Sequence, residues 1–146
     1  MLLEILKDEI EASWNAAASE WDAKALTRLY TENALFFGLL PKLYVGRPEI
    51  ETYFLNYKHT LRRVTLDLVD QELRPLSGDA FAAQGFGNLL NYSLDGELLP
   101  NRVRTSLVIV KVASEWQISL HHFSHIPQNA FLRQTDPDAT EHYLAT

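Results

Sequence analysis

Two arginines and three histidines fall where a β-hairpin could bring them together. Arg102 and Arg104 open the run Asn101–Val112, and His121, His122 and His125 close the run Glu115–Pro127. Both runs are rich in β-branched residues, and Ala113-Ser114 separates them, so they predict a hairpin with a short turn. Antiparallel pairing folds the arginine end of one strand back onto the histidine end of the other. A guanidinium in a partly dry site holds a carboxylate or an enolate through two parallel hydrogen bonds. An imidazole, with an unperturbed pKa of about 6.5, moves a proton near neutral pH. Arg104 with His121 is the sharpest pair for binding an anion and transferring a proton. Arg102 and Ser106 are candidate ligand contacts beside it, and His122 is a second candidate proton carrier.

A two-residue turn sets the expected register. Lys111 then faces Trp116, Ser106 faces His121, Thr105 faces His122 and Arg104 faces Phe123. Side chains alternate along a strand, so Arg104, Ser106, Val108, His121 and Phe123 share one face. Thr105, Leu107, Ile109, Trp116, Ile118, Leu120 and His122 share the other, and a bulge would exchange these sets on one strand. The structural alternative for Arg104 is a salt bridge to Asp67, Asp70 or Glu49. For His122 it is a hydrogen-bonded core or interface residue. Adjacent strand residues point to opposite faces, so His121 and His122 cannot chelate one ion together. No metal site and no cofactor are expected.

Further candidates lie outside the hairpin. Tyr53 and Tyr57 are one helical turn apart, and Trp14 lies on the inner stripe of the first helix. Tyr53 could donate a hydrogen bond to a ligand oxyanion, or simply pack with its hydroxyl satisfied. Phe37 and Asn88 are candidate ligand contacts on strands. No serine has the flanking glycines of a nucleophile elbow, and Gly85 with Gly87 is too little for a phosphate cradle.

The elements that must position these groups follow from periodicity. Leu3, Leu6, Ile10, Trp14, Ala17 and Trp21 recur at helical steps and predict a first helix with an acidic solvated face. Asp22 is placed to cap a second, from Ala23 to Tyr30. Ala34–Leu40 is an apolar run that predicts a strand buried on both faces, and Leu43–Val45 a short one. Pro48 suits the first turn of a third helix that runs to about Thr60. Strands follow: Val64–Val69, a turn within Arg74–Asp79, Ala80–Tyr92 with a bend or bulge at its glycines, an Asp95-Gly96 turn, and the last hairpin. Helices grouped ahead of strands predict an α+β layer structure, with three N-terminal helices in the concave face of a curved antiparallel sheet, a cone-shaped barrel. One domain over 1–128 is expected, with a polar tail over 129–146.

The 146 residues carry a net charge of -6, which argues against nucleic acid as a partner. Cysteine is absent, which removes thiol chemistry and suits a cytoplasmic location. The charged N-terminus is unlike a signal peptide, and no apolar run reaches membrane-spanning length.

The residues Leu29–Ala34, Gly46-Arg47-Pro48-Glu49-Ile50 and Trp116-Gln117-Ile118, with Trp14, resemble the nuclear transport factor 2-like superfamily, the cystatin-like α+β cone. Arg104–Val110, His121–Ser124 and Pro127 are similar to its calcium/calmodulin-dependent protein kinase II association-domain branch and the bacterial relatives of that branch. The resemblance implies a pocket between helices and sheet, and assembly through the sheet. An exposed face bearing Trp116, Ile118, Leu107 and Ile109 would be covered by a second copy, so a homodimer is expected. Three functions stay open: a small oligomeric pocket protein for an organic ligand, with Arg104 pointing to an anionic one; a cofactor-independent isomerase, cyclase or dehydratase of the SnoaL or ketosteroid isomerase type using His121 or His122 with Tyr53; and a pure association domain.

Overall fold

A computed structural model describes residues 2–128, and the tail expected over 129–146 lies outside them. The elements are α1 (Leu2–Ala18), α2 (Ala23–Arg28), β1 (Tyr30–Phe37), β2 (Tyr44–Val45), α3 (Gly46–Tyr57), β3 (Leu61–Ser77), β4 (Ala80–Ser93), β5 (Leu98–Val112) and β6 (Glu115–His125). The strands form one curved, unclosed sheet in the order β2-β1-β6-β5-β4-β3, with the helices on its concave face. β3 to β6 are the expected antiparallel meander. β1 lies parallel to β6, so the sheet is mixed rather than antiparallel throughout. That parallel pairing is available because almost the whole chain serves as the crossover between the two strands.

Local chemistry sets the helix boundaries. Asp22 caps α2 by accepting from the Ala25 N–H at 3.0 Å. The stripe Leu6, Ile10, Trp14 and Ala18 turns α1 inward. Two polar residues on α1 also serve the sheet. Asn15 donates to Leu66 O at 2.8 Å and accepts from Leu66 N at 2.7 Å, and Glu11 accepts from Leu68 N at 2.6 Å. These bonds occupy backbone groups that the edge strand β3 would otherwise leave open. Glu11 is therefore no member of a merely solvated acidic face.

Two strands differ from their sequence-based expectation. β1 is buried on one face only: Phe36 is 1% exposed, while Leu35 and Phe37 are 43% and 38% exposed. β3 continues through Pro75, where a turn was expected. An edge strand tolerates proline because one side of it needs no ladder hydrogen bond. β3 bends instead at a bulge between Val69 and Glu72, where Asp70 has φ 52°. Gly85 makes room for it, since a Cβ there would sit 2.4 Å from Asp70 O.

The core lies between helices and sheet. Tyr30, Phe36, Phe54, Phe81, Leu26, Ile50, Ile109 and Ile118 are almost wholly buried in it. Leu107, Ile109 and Ile118 are among the core residues, and Trp116 packs at its end against Phe81. They do not form the exposed apolar face expected of them, so that ground for a homodimer is withdrawn. No described helix is long and apolar enough to cross a membrane.

Candidate functional site

One residue decides which side chains meet. The β5–β6 pairing starts as expected, with Lys111 opposite Trp116, and Ile109 lies opposite Ile118. Val108 then pairs with Leu120, leaving Ser119 as an extra residue on β6. Beyond this bulge Leu107 faces His121, Ser106 faces His122, Thr105 faces Phe123 and Arg104 faces Ser124. His121 and Phe123 therefore point inward with Thr105 and Leu107, while His122 points outward with Arg104 and Ser106. The expected Arg104–His121 pair is split across the sheet.

His121 and Phe123 border a small cavity of about 60 Å³ between the helices and the sheet. Its walls are mostly apolar, with Trp21, Phe36, Leu61, Val64, Leu89 and Phe123 among them. Trp14, Tyr53, Tyr57 and His121 line it, as does Asn91. Among the described residues, no carboxylate and no guanidinium reaches the lining. His121 is stacked between Phe36 and Phe123, at ring-centroid distances of 4.2 and 3.8 Å. Its Nδ1 lies 2.9 Å from the Tyr30 hydroxyl.

Burial sets the electrostatics of this group. His121 is pushed down to about 3 by desolvation, with a smaller contribution from the neighbouring His122. It is neutral at pH 7. Burial raises the Tyr30 hydroxyl well above the usual phenol range, so it too is neutral. The Trp14 N–H lies close enough to the Tyr30 oxygen to offset part of that rise, without reaching hydrogen-bond geometry. Tyr30 and His121 are thus two neutral groups joined by one hydrogen bond between the phenol oxygen and Nδ1.

Tyr53 holds the wall. Its hydroxyl accepts from Leu39 N at 3.1 Å and so ties down the segment that follows β1. Burial raises this phenol as well, offset in part by that backbone bond. A Cβ on Gly38 would approach the Tyr53 ring to 2.3 Å, so only glycine lets the segment pass. The Tyr53 oxygen thus accepts from backbone, and its own O–H proton is not used by that bond. Tyr57 packs on Tyr53 and Trp21 at 5.1 and 6.3 Å.

The remaining candidates lie on the opposite face. Arg104 is exposed and donates from Nε to Ser124 Oγ at 3.3 Å. The bridge considered for Arg104 is made by Arg102, 3.7 Å from Asp70, which also donates to Asn88 Oδ1 at 3.3 Å and covers the Phe86 ring at 4.9 Å. Ser106 accepts from Gln84 at 2.8 Å. His122 is exposed and rests on Phe37 at 5.2 Å. So Arg102, Arg104, Asn88, Ser106, Phe37 and His122 do not join Trp14, Tyr53, Tyr57 and His121. Sequence reading missed Tyr30, which had been assigned to the end of α2, and Asn91. A tyrosine one residue past a helix C-cap carries no signal that its hydroxyl will meet a histidine 91 positions later. Among the described residues, no group of three or more His, Asp or Glu is placed to hold a metal ion.

Comparisons with known proteins agree with the fold. A family model described as the SnoaL-like domain matches residues 8–129. A Xanthomonas campestris structure, provisionally named a calcium/calmodulin dependent protein kinase II association domain, is 21% identical, with TM-score 0.74 over 80% of this chain and 83% of its own. A provisionally named dehydratase of the NTF2-like family from Streptomyces avermitilis is 15% identical, with TM-score 0.70 over 84% and 95%. A Nostoc punctiforme protein of unknown function with a cystatin-like fold is 13% identical, with TM-score 0.70 over 88% and 95%. A comparison with curated proteins finds no match. At these identities the likeness shows the fold alone.

Proposed function

We propose that this chain, which belongs to the SnoaL-like domain family, binds an organic molecule whose inserted part is small, uncharged and apolar. The observation that carries this reading is the cavity itself. Its lining is aromatic and aliphatic, and its buried imidazole is neutral and hydrogen-bonded to Tyr30. Such a site favours a compact, uncharged ring or short chain. The volume of about 60 Å³ has room for a few waters or one compact group. Drug-sized ligands occupy pockets of roughly 300–1,000 Å³. A bulky polycyclic ligand would need the walls to move.

An acid–base reaction of the kind suggested by the dehydratase-named neighbour has less support. It would need His121 to accept a proton near neutrality, against a pKa of about 3. Among the described residues, the only other titratable groups in the lining are Tyr53 and Tyr57.

Trp14 and Trp21 line the cavity, so their fluorescence reports its contents. Titration with benzyl alcohol and phenylacetamide should give a saturable change and a raised melting temperature. Leu89→Trp, which fills the cavity, should abolish both in protein that remains folded by circular dichroism. Absence of saturable binding in the wild type, or undiminished binding in Leu89→Trp, would overturn the reading.

A further inference from the structure

A second hollow adjoins the cavity. β1 ends at Phe37, opposite His122, while β6 runs on to His125. Among the described residues only β1 flanks β6 on that side, so residues 123–125 have no strand beside them there. The segment that leaves β1 bounds the gap and makes it a notch of about 320 Å³. Phe37, Leu40 and Pro41 line the notch, with His122 and His125 among its polar members. Leu39 and Phe123 line both the notch and the cavity, so a single layer of side chains parts the two hollows.

That layer is fixed on one side and free on the other. Phe123 is buried and stacked on His121. Leu39 is half-buried, and its backbone N–H donates to the Tyr53 hydroxyl at 3.1 Å. The backbone is thus pinned, and the Leu39 side chain is the part that can yield, by a change of rotamer. The volumes point the same way. The cavity, at about 60 Å³, falls short of the roughly 300–1,000 Å³ of ligand sites, and the notch reaches that range. Among the described residues, the notch lining holds no carboxylate, amine or guanidinium. What fills it therefore gains from burying apolar surface rather than from an ion pair.

We infer that the notch holds an apolar arm of the ligand whose compact head fills the cavity, with the arm passing Leu39. This rests on the cavity reading above and adds the class of ligand: an elongated, uncharged molecule that carries a chain on a small apolar ring. Phe37, a large apolar side chain left exposed at the end of β1, then serves as a wall for that chain. Its contact with the His122 ring, at 5.2 Å, supports it from the other side.

N-methyl-, N-propyl- and N-butylphenylacetamide test it by Trp fluorescence, since they share one ring and differ only in the arm. Full burial of a methylene tightens binding about fourfold, and the half-open notch should give about twofold for each. The wild type should therefore bind the butyl compound about eightfold more tightly than the methyl one, three methylenes apart. In Phe37→Ser/Leu40→Ser that gain should vanish, while the methyl compound binds as it does to the wild type. Leu98→Ser removes an exposed leucine on β5, away from the notch, and should leave the gain intact. Equal affinity of the wild type for the methyl and butyl compounds overturns the inference, and binding of the methyl compound keeps the cavity reading. A gain that survives in the double variant, or that Leu98→Ser removes, overturns it as well. The butyl compound bound undiminished by Leu89→Trp would place the whole ligand outside the cavity and overturns it too. Failure of all three compounds to bind removes both readings.

Discussion

His121 and His122 are chain neighbours in opposite worlds. His121 is 3% exposed, stacked between two phenylalanines and held by a tyrosine hydroxyl. His122 stands in solvent on the face of Arg104 and Ser106, with Phe37 beneath it. The same side chain is a buried neutral ring in one place and an exposed imidazole in the other. Residue type alone thus says little about function here. The inner face encloses an apolar hollow with few polar groups, whereas on the outer face Arg102 pairs with Asp70 and Arg104 donates to Ser124.

The bulge at Ser119 creates that contrast, so its removal should have the largest effect. Deleting Ser119 would turn His121 and Phe123 outward and drive His122 and Ser124 into the core. We expect loss of the cooperative thermal transition in circular dichroism. Ser119→Ala keeps the residue count and should stay within about 0.5 kcal/mol of wild type. A deletion variant that melts cooperatively near the wild-type temperature would show that the bulge does not set the faces.

The second effect is pH dependence. The folded-state pKa of His121 is depressed to about 3, against about 6.5 in the unfolded chain. Between those values the unfolded state holds a proton that the folded state lacks. The stability contribution is therefore full above about pH 6.5 and is lost as pH falls toward 3. The slope is at most about 1.4 kcal/mol per pH unit from this group. Denaturant unfolding from pH 7 to 4 should show it, and His121→Phe should flatten the curve. An unchanged slope in that variant would place the titration elsewhere.

The smallest effect sharpens the outer face. Arg104 makes one long hydrogen bond to Ser124 in solvent. Arg104→Ala should change stability by no more than about 0.5 kcal/mol. A loss above 2 kcal/mol in denaturant unfolding would mean that this face is buried against something.

Much of the fold was legible in short-range patterns. The capping aspartate at position 22, the stripe on α1, the meander and the Ala113-Ser114 turn all follow from local chemistry, and all are present. The glycines of β4 correctly signalled a bulge, although it lies across the ladder on β3. The candidate site was legible only in part. Trp14, Tyr53, Tyr57 and His121 do converge, because helix periodicity places the first three and the hairpin brings in the fourth. Arg104 was misplaced because Ser119 is an ordinary strand residue with no mark of being surplus.

The amino-acid order alone determined which segments become helix or strand, and that helices precede a meander. Spacing, caps and turns act within a few residues, so they can be read from the chain. Only the tertiary structure decided which face of β6 each histidine occupies. A strand repeats every two residues, so one unpaired residue reverses every side chain after it. That register is set by packing against β1, β5 and the helices, and no local stretch of sequence contains it.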